Sequence, residues 1–246
     1  MKTNWDYSDR ARTYDKRADY SESAVSAAIS HTGLTEDAEV ADIGAGTGKL
    51  TKILQRHFSK VFAVEPNDNM RSHGENNVKS GRVFWSEGSA ESTGIDSERI
   101  SAVYFGSSFN VVNYDLTFSE MRRITKSEGW FTCMWNHRDT HDEIQSEIEK
   151  IIRTNIPSFD YGARRESPVK LLDNSGFFKE VTFFEDRFEV FMNKSDVIAA
   201  WESHDTLYRQ SDGRFNEIIQ AIARLIPDSG INVPYFTRIW VAQLKI

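Results

Sequence analysis

The chain has 246 residues, enough to bury one α/β core with room for an inserted cap, and carries a formal net charge of -7. That acidic balance argues against a surface built to gather phosphates, so nucleic acid is not an expected partner. Cys133 is the single cysteine, which excludes an internal disulfide and, in its apolar run 130–135, reads as a buried thiol of a reducing compartment. No stretch approaches the roughly 20 apolar residues of a membrane span, and the N-terminus has no apolar leader. The expectation is a soluble, cytoplasmic protein with no membrane partner, monomeric or homodimeric.

Two N-terminal segments, 8–17 and 21–31, read as helices. In the second, Ala24, Val25, Ala28 and Ile29 form a stripe at helical spacing and Gly33 supplies a stop. Five short apolar runs follow as strands: 40–43, 61–64, 82–85, 101–105 and 129–135. Amphipathic segments 49–57, 68–75 and 114–125 separate them as helices. This alternation predicts βα units around a doubly wound, mostly parallel sheet. Helical segments at 141–155 and 168–174, with a loop holding Pro157, Gly162 and Pro168 between them, predict an insertion over the sheet. The aromatic run 177–191, a helical pair near 196–203 and 215–226, and the segment 233–244 complete the chain. They supply two more strands as an antiparallel pair at one edge, seven in all, with the run 183–191 serving as core or as a dimerising edge. One domain is expected: a cover over 1–35, a ligand-binding core over 36–136, a cap over 137–176 and C-terminal strands and helices over 177–246.

The most informative segment is Val40-Ala-Asp-Ile-Gly-Ala-Gly-Thr-Gly-Lys-Leu50, a buried strand entering a glycine-rich turn and then a helix. Such a turn lets a ligand approach backbone at a helix N-terminus. A phosphate-binding P-loop is excluded, because Leu50 follows Gly48-Lys49 and Ile43 stands where its first glycine belongs. The nicotinamide fingerprint fits poorly, since Gly48 comes one residue early and Lys49 takes the third glycine position; an oxidoreductase remains the alternative reading. Glu65, at the end of the next strand, suits any adenosine cofactor because a carboxylate accepts both ribose hydroxyls. Asp42 is costly at the end of a buried strand unless a cation pairs with it, or unless it caps the turn through backbone N–H groups.

Asp42-Ile-Gly44-Ala45-Gly46-Thr-Gly48, followed by Val64-Glu65-Pro66-Asn67 and Met70, resembles motifs I and II of the class I S-adenosylmethionine-dependent methyltransferases, in their small-molecule branch. The likeness extends through Gly88-Ser89-Ala90-Glu91, similar to the segment that family uses around the adenine, and through the fourth and fifth strands. About the first 135 residues match well. The chain departs from many relatives after strand four, where Asn110-Val111 replaces a His-Trp pair. The resemblance implies a Rossmann-like methyltransferase fold with S-adenosylmethionine as cofactor. It places Asp42 at the cofactor ammonium, and Gly106 and Ser107 beside the cofactor. It also folds the first helix over the site, with Tyr14 reaching the cofactor carboxylate or the acceptor.

Ligands of doubly wound sheets sit beyond the carboxyl ends of the strands. The loops after strands four and five are therefore the expected acceptor wall, with His137 as a candidate base, Arg138 as a clamp for an acidic acceptor and Tyr14 as a third catalytic candidate. The plain alternative is a solvated loop in which Arg138 pairs with Asp139, worth little at a surface. Tyr161, Arg164, Arg165, Trp201, His204 and Tyr208 are candidates for the far wall, more of them scaffold than site. No metal site is expected. The expected reaction is methylation at O, N or C of a small organic acceptor such as a carboxylic acid or a natural-product intermediate, with a non-catalytic binding protein as the remaining alternative.

Overall fold

The computed structural model describes residues 15–245. Each βα unit forms where the apolar periodicity changes from strand to helix. Among the described residues the first helix is α1 (Glu22–Thr32), capped by the Ser21 side chain and ended by left-handed Gly33. Then come β1 (Glu39–Ile43), α2 (Lys49–His57), β2 (Lys60–Val64), α3 (Asp68–Asn77), β3 (Val83–Ser86), β4 (Ile100–Gly106), α4 (Tyr114–Ile124) and β5 (Thr125–Arg138). Helix α5 (Glu143–Asn155) and the short α6 (Val169–Ser175) lead into β6 (Phe178–Met192). Helices α7 (Lys194–Glu202), α8 (Asp205–Gln210) and α9 (Phe215–Leu225) lead into β7 (Ile231–Leu244).

The seven strands lie in the order β3-β2-β1-β4-β5-β7-β6. Strands β1 to β5 are parallel, and β7 runs antiparallel between β5 and β6. This is the doubly wound, mostly parallel sheet expected. The strand order reverses between β1 and β4, and that switch point opens the crevice in which such sheets bind ligands. Two apolar layers cover the sheet. One gathers Ile43, Val64, Phe105, Phe109, Phe131 and Trp240, and the other packs α1 and α2 through Val25, Ala28, Ile53 and Leu54 onto Val40, Ala102 and Met134.

Two details differ from expectation. Strand β5 does not stop near Trp135. It continues to Arg138 because β7 pairs with it from Trp130↔Gln243 to Arg138↔Tyr235, so Asn136, His137 and Arg138 lie on strand rather than loop. The last two strands form the expected antiparallel pair, but three helices, α7, α8 and α9, intervene where two were expected. Those helices join α5 in a third apolar cluster, built on Ile148, Ile152, Trp201, Leu207, Ile218 and Ile222, that reaches the upper ends of β6 and β7 through Met192, Val233 and Tyr235. The cap thus comes from two excursions of the chain, after β5 and after β6. The β6 edge alternates, leaving Phe183 and Phe191 exposed while Phe184 packs inward. Among the described residues no helix is long and apolar enough to cross a membrane.

Candidate active site

Between the carboxyl ends of the strands and the cap lies a cavity of about 480 Å³. Its floor is the glycine turn. Gly44, Gly46 and Gly48 have φ of 70°, 58° and 87°, a region that side-chain-bearing residues rarely adopt. A methyl group on Gly44 would come within 2.6 Å of the Ser108 Cβ, so this turn is closed to any larger residue. Gly44 and Gly46 face the cavity, whereas Gly48 caps α2 and lies against Val78 and Trp85. Ala45 is buried in the turn, its N–H donating to the Val64 carbonyl.

Glu65 faces the cavity at the end of β2. One carboxylate oxygen accepts from the Gly46 N–H and the other from the Asn67 N–H, each at 2.9 Å. Each oxygen keeps a lone pair for a further donor, the arrangement a vicinal diol needs. Burial pushes the Glu65 carboxyl above its ordinary range, partly offset by those two backbone donors. Pro66, Asn67 and Met70 line the same end, with Asn67 fixed as the cap of α3 through the Met70 N–H. Gly106 and Ser107 line it from β4. Ser107 has φ 60° and meets the Tyr20 hydroxyl at 2.8 Å, a side-chain-bearing residue held in a sparsely populated conformation at the cavity edge.

Asp42 stands behind this floor rather than on it. One of its oxygens accepts from the Thr51 hydroxyl at 2.6 Å, and the other is buried without a partner. Removal from water raises its pKa to about 7, against the Thr51 hydrogen bond, with the nearby Glu65 charge adding to the rise. An unpaired buried carboxylate oxygen, a cavity-facing glutamate whose oxygens can each accept a further donor and a turn that a Cβ would fill together suit a cationic adenosine cofactor. The segment 88–91 lies off the cavity surface. Ala90 packs in the core with Val64 and Phe105, Ser89 bridges to Ser92, and Glu91 accepts from the Asn113 N–H. Tyr14, and the helix expected over 8–17, fall outside the described residues.

The opposite end of the cavity is polar and aromatic. His137 lines it, is 8 % exposed, and its Nε2 is buried without a partner. Burial, then the charges of Arg165, Arg238 and Arg164, lower its pKa to about 3, so the ring is neutral. Arg138 does not pair with Asp139. Its guanidinium lies over Trp201, 4.1 Å from the ring centroid, while Asp139 takes Arg187 at 3.1 Å. Tyr161, Arg164, Arg165, Trp201 and His204 all face the cavity; Tyr208 does not line it. Spacing on its own did not single out Gln145, which is 3 % exposed on α5 and has both side-chain amide atoms buried without partners. A glutamine at the third position of a capped helix carries no signal by itself. Asn110, which replaces the family's His-Trp pair with Val111, accepts from the Trp135 indole at 3.0 Å and forms part of the same wall.

Residues 41–133 match the family model described as a methyltransferase domain. The fold is similar along nearly its whole length to solved structures. A candidate type II methyltransferase from Anaeromyxobacter dehalogenans aligns with TM-score 0.62 and 17% identity, covering 92% of this chain and 97% of that one. A candidate methyltransferase from Bacillus halodurans aligns with TM-score 0.56 and 16% identity over 90% and 98%. Phosphoethanolamine N-methyltransferase 2 of Haemonchus contortus, solved with phosphomonomethylethanolamine and S-adenosylhomocysteine, aligns with TM-score 0.56 and 14% identity over 96% and 57%. A search of curated protein sequences gave no significant match. The match of residues 41–133 to a methyltransferase domain, the sheet order, and the glycine turn with the Glu65 carboxylate beside it all agree with a Rossmann-like methyltransferase fold.

Proposed function

We propose that the chain transfers the methyl group of S-adenosylmethionine to a small organic acceptor enclosed beneath the helical cap. The observation that carries this reading is the continuity of the cavity, which runs from the glycine turn and Glu65 to the arginines and aromatic rings of the cap. A cofactor seated at one end would present its methyl group toward an acceptor at the other. A cavity of this size, lined by aromatic rings and many charged and polar side chains, suits a small polar molecule rather than a polymer.

In this reading Gly44, Gly46, Glu65, Pro66, Asn67 and Met70 hold the cofactor, with Gly106 and Ser107 along its flank. Ala45 and Gly48 shape the turn, Asp42 supplies a negative potential behind it, and residues 88–91 brace the adenine end from the core. Methyl transfer from a sulfonium is an in-line displacement in which the cofactor's positive charge disappears, so alignment and exclusion of water do most of the work. His137, neutral and with its Nε2 unpartnered, accepts a hydrogen bond from the acceptor; its lowered pKa makes it a positioning group rather than a base. Arg138, stacked on Trp201, fixes the acceptor's orientation.

Calorimetric titration with S-adenosylmethionine, S-adenosylhomocysteine and NADH tests the cofactor half of the proposal. A screen of small acids, amines and phenols with methyl-labelled cofactor tests the acceptor half. Binding of the sulfur cofactors, weakened in Glu65→Ala, is the expected result; binding of NADH alone would sink the reading.

A further inference from the structure

The cap end of the cavity holds buried hydrogen-bonding atoms that no described residue satisfies. Gln145, on the first turn of α5, has its Oε1 and Nε2 both buried without a partner. The Nε1 of Trp201 on α7 and the Nε2 of His137 on β5 share that condition. All three side chains are more than nine-tenths buried, and all three line the cavity. Buried polar side chains are ordinarily paired, because an unmade hydrogen bond leaves the desolvation of the group uncompensated.

The scaffold holds these groups in place. The Gln145 N–H donates to the Asp142 side chain at 3.0 Å, which fixes the start of α5. The Trp201 ring is packed by the Arg138 guanidinium, 4.1 Å from its centroid, and by the His204 ring at 5.3 Å. His137 is held by the pairing of β5 with β7, opposite Phe236.

Together they complement one kind of chemical group. An indole N–H only donates, whereas the glutamine amide donates through Nε2 and accepts through Oε1. Turning that amide over exchanges the two atoms and leaves both unpaired. Burial keeps the His137 ring neutral, so its Nε2 accepts in one tautomer and donates in the other. In either tautomer the set needs both donors and acceptors from its ligand. A carboxylate has only acceptors and leaves the Gln145 Oε1 unpaired; an ammonium has only donors and leaves the Trp201 and Gln145 N–H groups unpaired. A hydroxyl or a carboxamide supplies both.

We infer that Gln145, with the Trp201 indole N–H and the His137 Nε2, binds an uncharged hydroxyl or carboxamide of the methyl acceptor, and that Gln145 selects for it. This rests on the methyl-transfer reading of the same cavity and narrows its acceptor to molecules bearing a neutral group that both donates and accepts hydrogen bonds. Gln145→Met, nearly isosteric and apolar, separates this role from a structural one. A glutamine that holds the fold loses stability on that change, whereas one kept for a ligand gains it.

The test uses the full chain. Without ligands, Gln145→Met should raise the Tm by roughly 2–12 °C. Wild type, with and without saturating S-adenosylhomocysteine, is titrated with two neutral pairs, phenol with anisole and benzamide with acetophenone. The second member of each pair keeps the oxygen and lacks the donor. At least one donor-bearing member should bind about tenfold more tightly than its partner, the phenol pair assigning a hydroxyl and the benzamide pair a carboxamide. Gln145→Met should reduce that preference to about twofold or less while S-adenosylhomocysteine affinity stays within about twofold. No preference in either wild-type pair, a preference that survives Gln145→Met, or a lowered Tm in that variant would each overturn the assignment. The wild-type pairs decide the matter even where the variant does not fold. Failure of S-adenosylhomocysteine to bind would instead overturn the cofactor reading, while the pairs titrated without it still report on the wall.

Discussion

Replacing Asp42 by asparagine should stabilise the cofactor-free protein, and by an amount that grows with pH. The side chain is 1 % exposed and has one oxygen without a partner, and its pKa is raised from 3.8 to about 7. A group whose folded pKa lies above its unfolded value contributes stability that is complete below the unfolded value and is lost as pH rises through the folded one. At about 1.4 kcal/mol per pKa unit, wild type loses roughly 2–3 kcal/mol from this group between pH 5 and pH 8. Asparagine is nearly isosteric and keeps an oxygen for the Thr51 hydroxyl, and it carries no charge to bury. The Tm gap between Asp42→Asn and wild type should therefore widen by roughly 4–12 °C across that range, using about 2–4 °C per kcal/mol for a chain of this size. Taking the difference between the two proteins cancels unaltered groups such as His137, whose lowered pKa works in the opposite direction by costing stability as pH falls below 6.5. Thermal melting in matched buffers from pH 5 to 8 is the assay. A gap that stays constant with pH would refute the reasoning, leaving Asp42 as a turn-capping group whose charge costs nothing.

Gly44→Ala places a methyl group 2.6 Å from the Ser108 Cβ at φ 70°, so it should lose roughly 2–4 kcal/mol of stability, and the double variant with Ser108→Gly should recover only the steric part; urea melts of the three proteins separate the two costs. Glu65→Gln should weaken S-adenosylhomocysteine by about 10- to 100-fold, the worth of hydrogen bonds to a charged acceptor, and unchanged calorimetric affinity would remove Glu65 from the ribose site. Saturating S-adenosylhomocysteine at about 100 times its Kd should raise the Tm by roughly 5–10 °C in wild type, with a much smaller shift in Glu65→Gln at the same concentration. His137→Ala should lower kcat by about tenfold with little change in cofactor affinity, the worth of a lost hydrogen bond, and because its pKa is lowered to about 3 the wild-type rate should show no His137 titration between pH 6 and 8.

The cofactor half of the cavity was legible because its chemistry is done by backbone. Where a turn must bring three glycines into the left-handed region between a buried strand and a helix, few residue types are permitted, and Gly44 and Gly46 announce themselves at fixed spacing. Glu65 is fixed relative to that turn by the pairing of β1 with β2, in which Ile43 lies opposite Val64, so its place at the end of β2 follows from local sequence alone. Asp42 was legible as a buried acid but not as one set behind the floor, because the Thr51 hydroxyl that turns it away comes from one helical turn into α2. Residues 88–91 illustrate the converse. Their resemblance to an adenine-binding segment is local, whereas their distance from the cavity surface depends on how Ala90 packs beneath Val64 and Phe105.

The acceptor half was less legible because its side chains are assembled by long-range pairing. His137 and Arg138 read as loop residues after a strand ending near Trp135, since no local signal shows that β7 will pair with β5 through Arg138 and hold both side chains rigid. Arg138 then meets Trp201, and Arg164 meets His204, 40 residues away, only because two separate excursions fold against each other through Ile148, Ile152, Ile218 and Ile222. Nothing in the spacing of those isoleucines distinguishes a cap from an ordinary helical layer. The division has a physical consequence for specificity. A floor made of strand ends and backbone tolerates little change without losing the cofactor, whereas a wall made of side chains on α5, α7 and α8 and on the loop before α6 can be rebuilt while the sheet stays intact. In the proposed reaction the choice of acceptor would therefore reside in cap and β5 side chains such as Gln145 and Arg138 rather than in the glycine turn. Exchanging those residues should change which acceptor is methylated before it changes whether S-adenosylmethionine is bound.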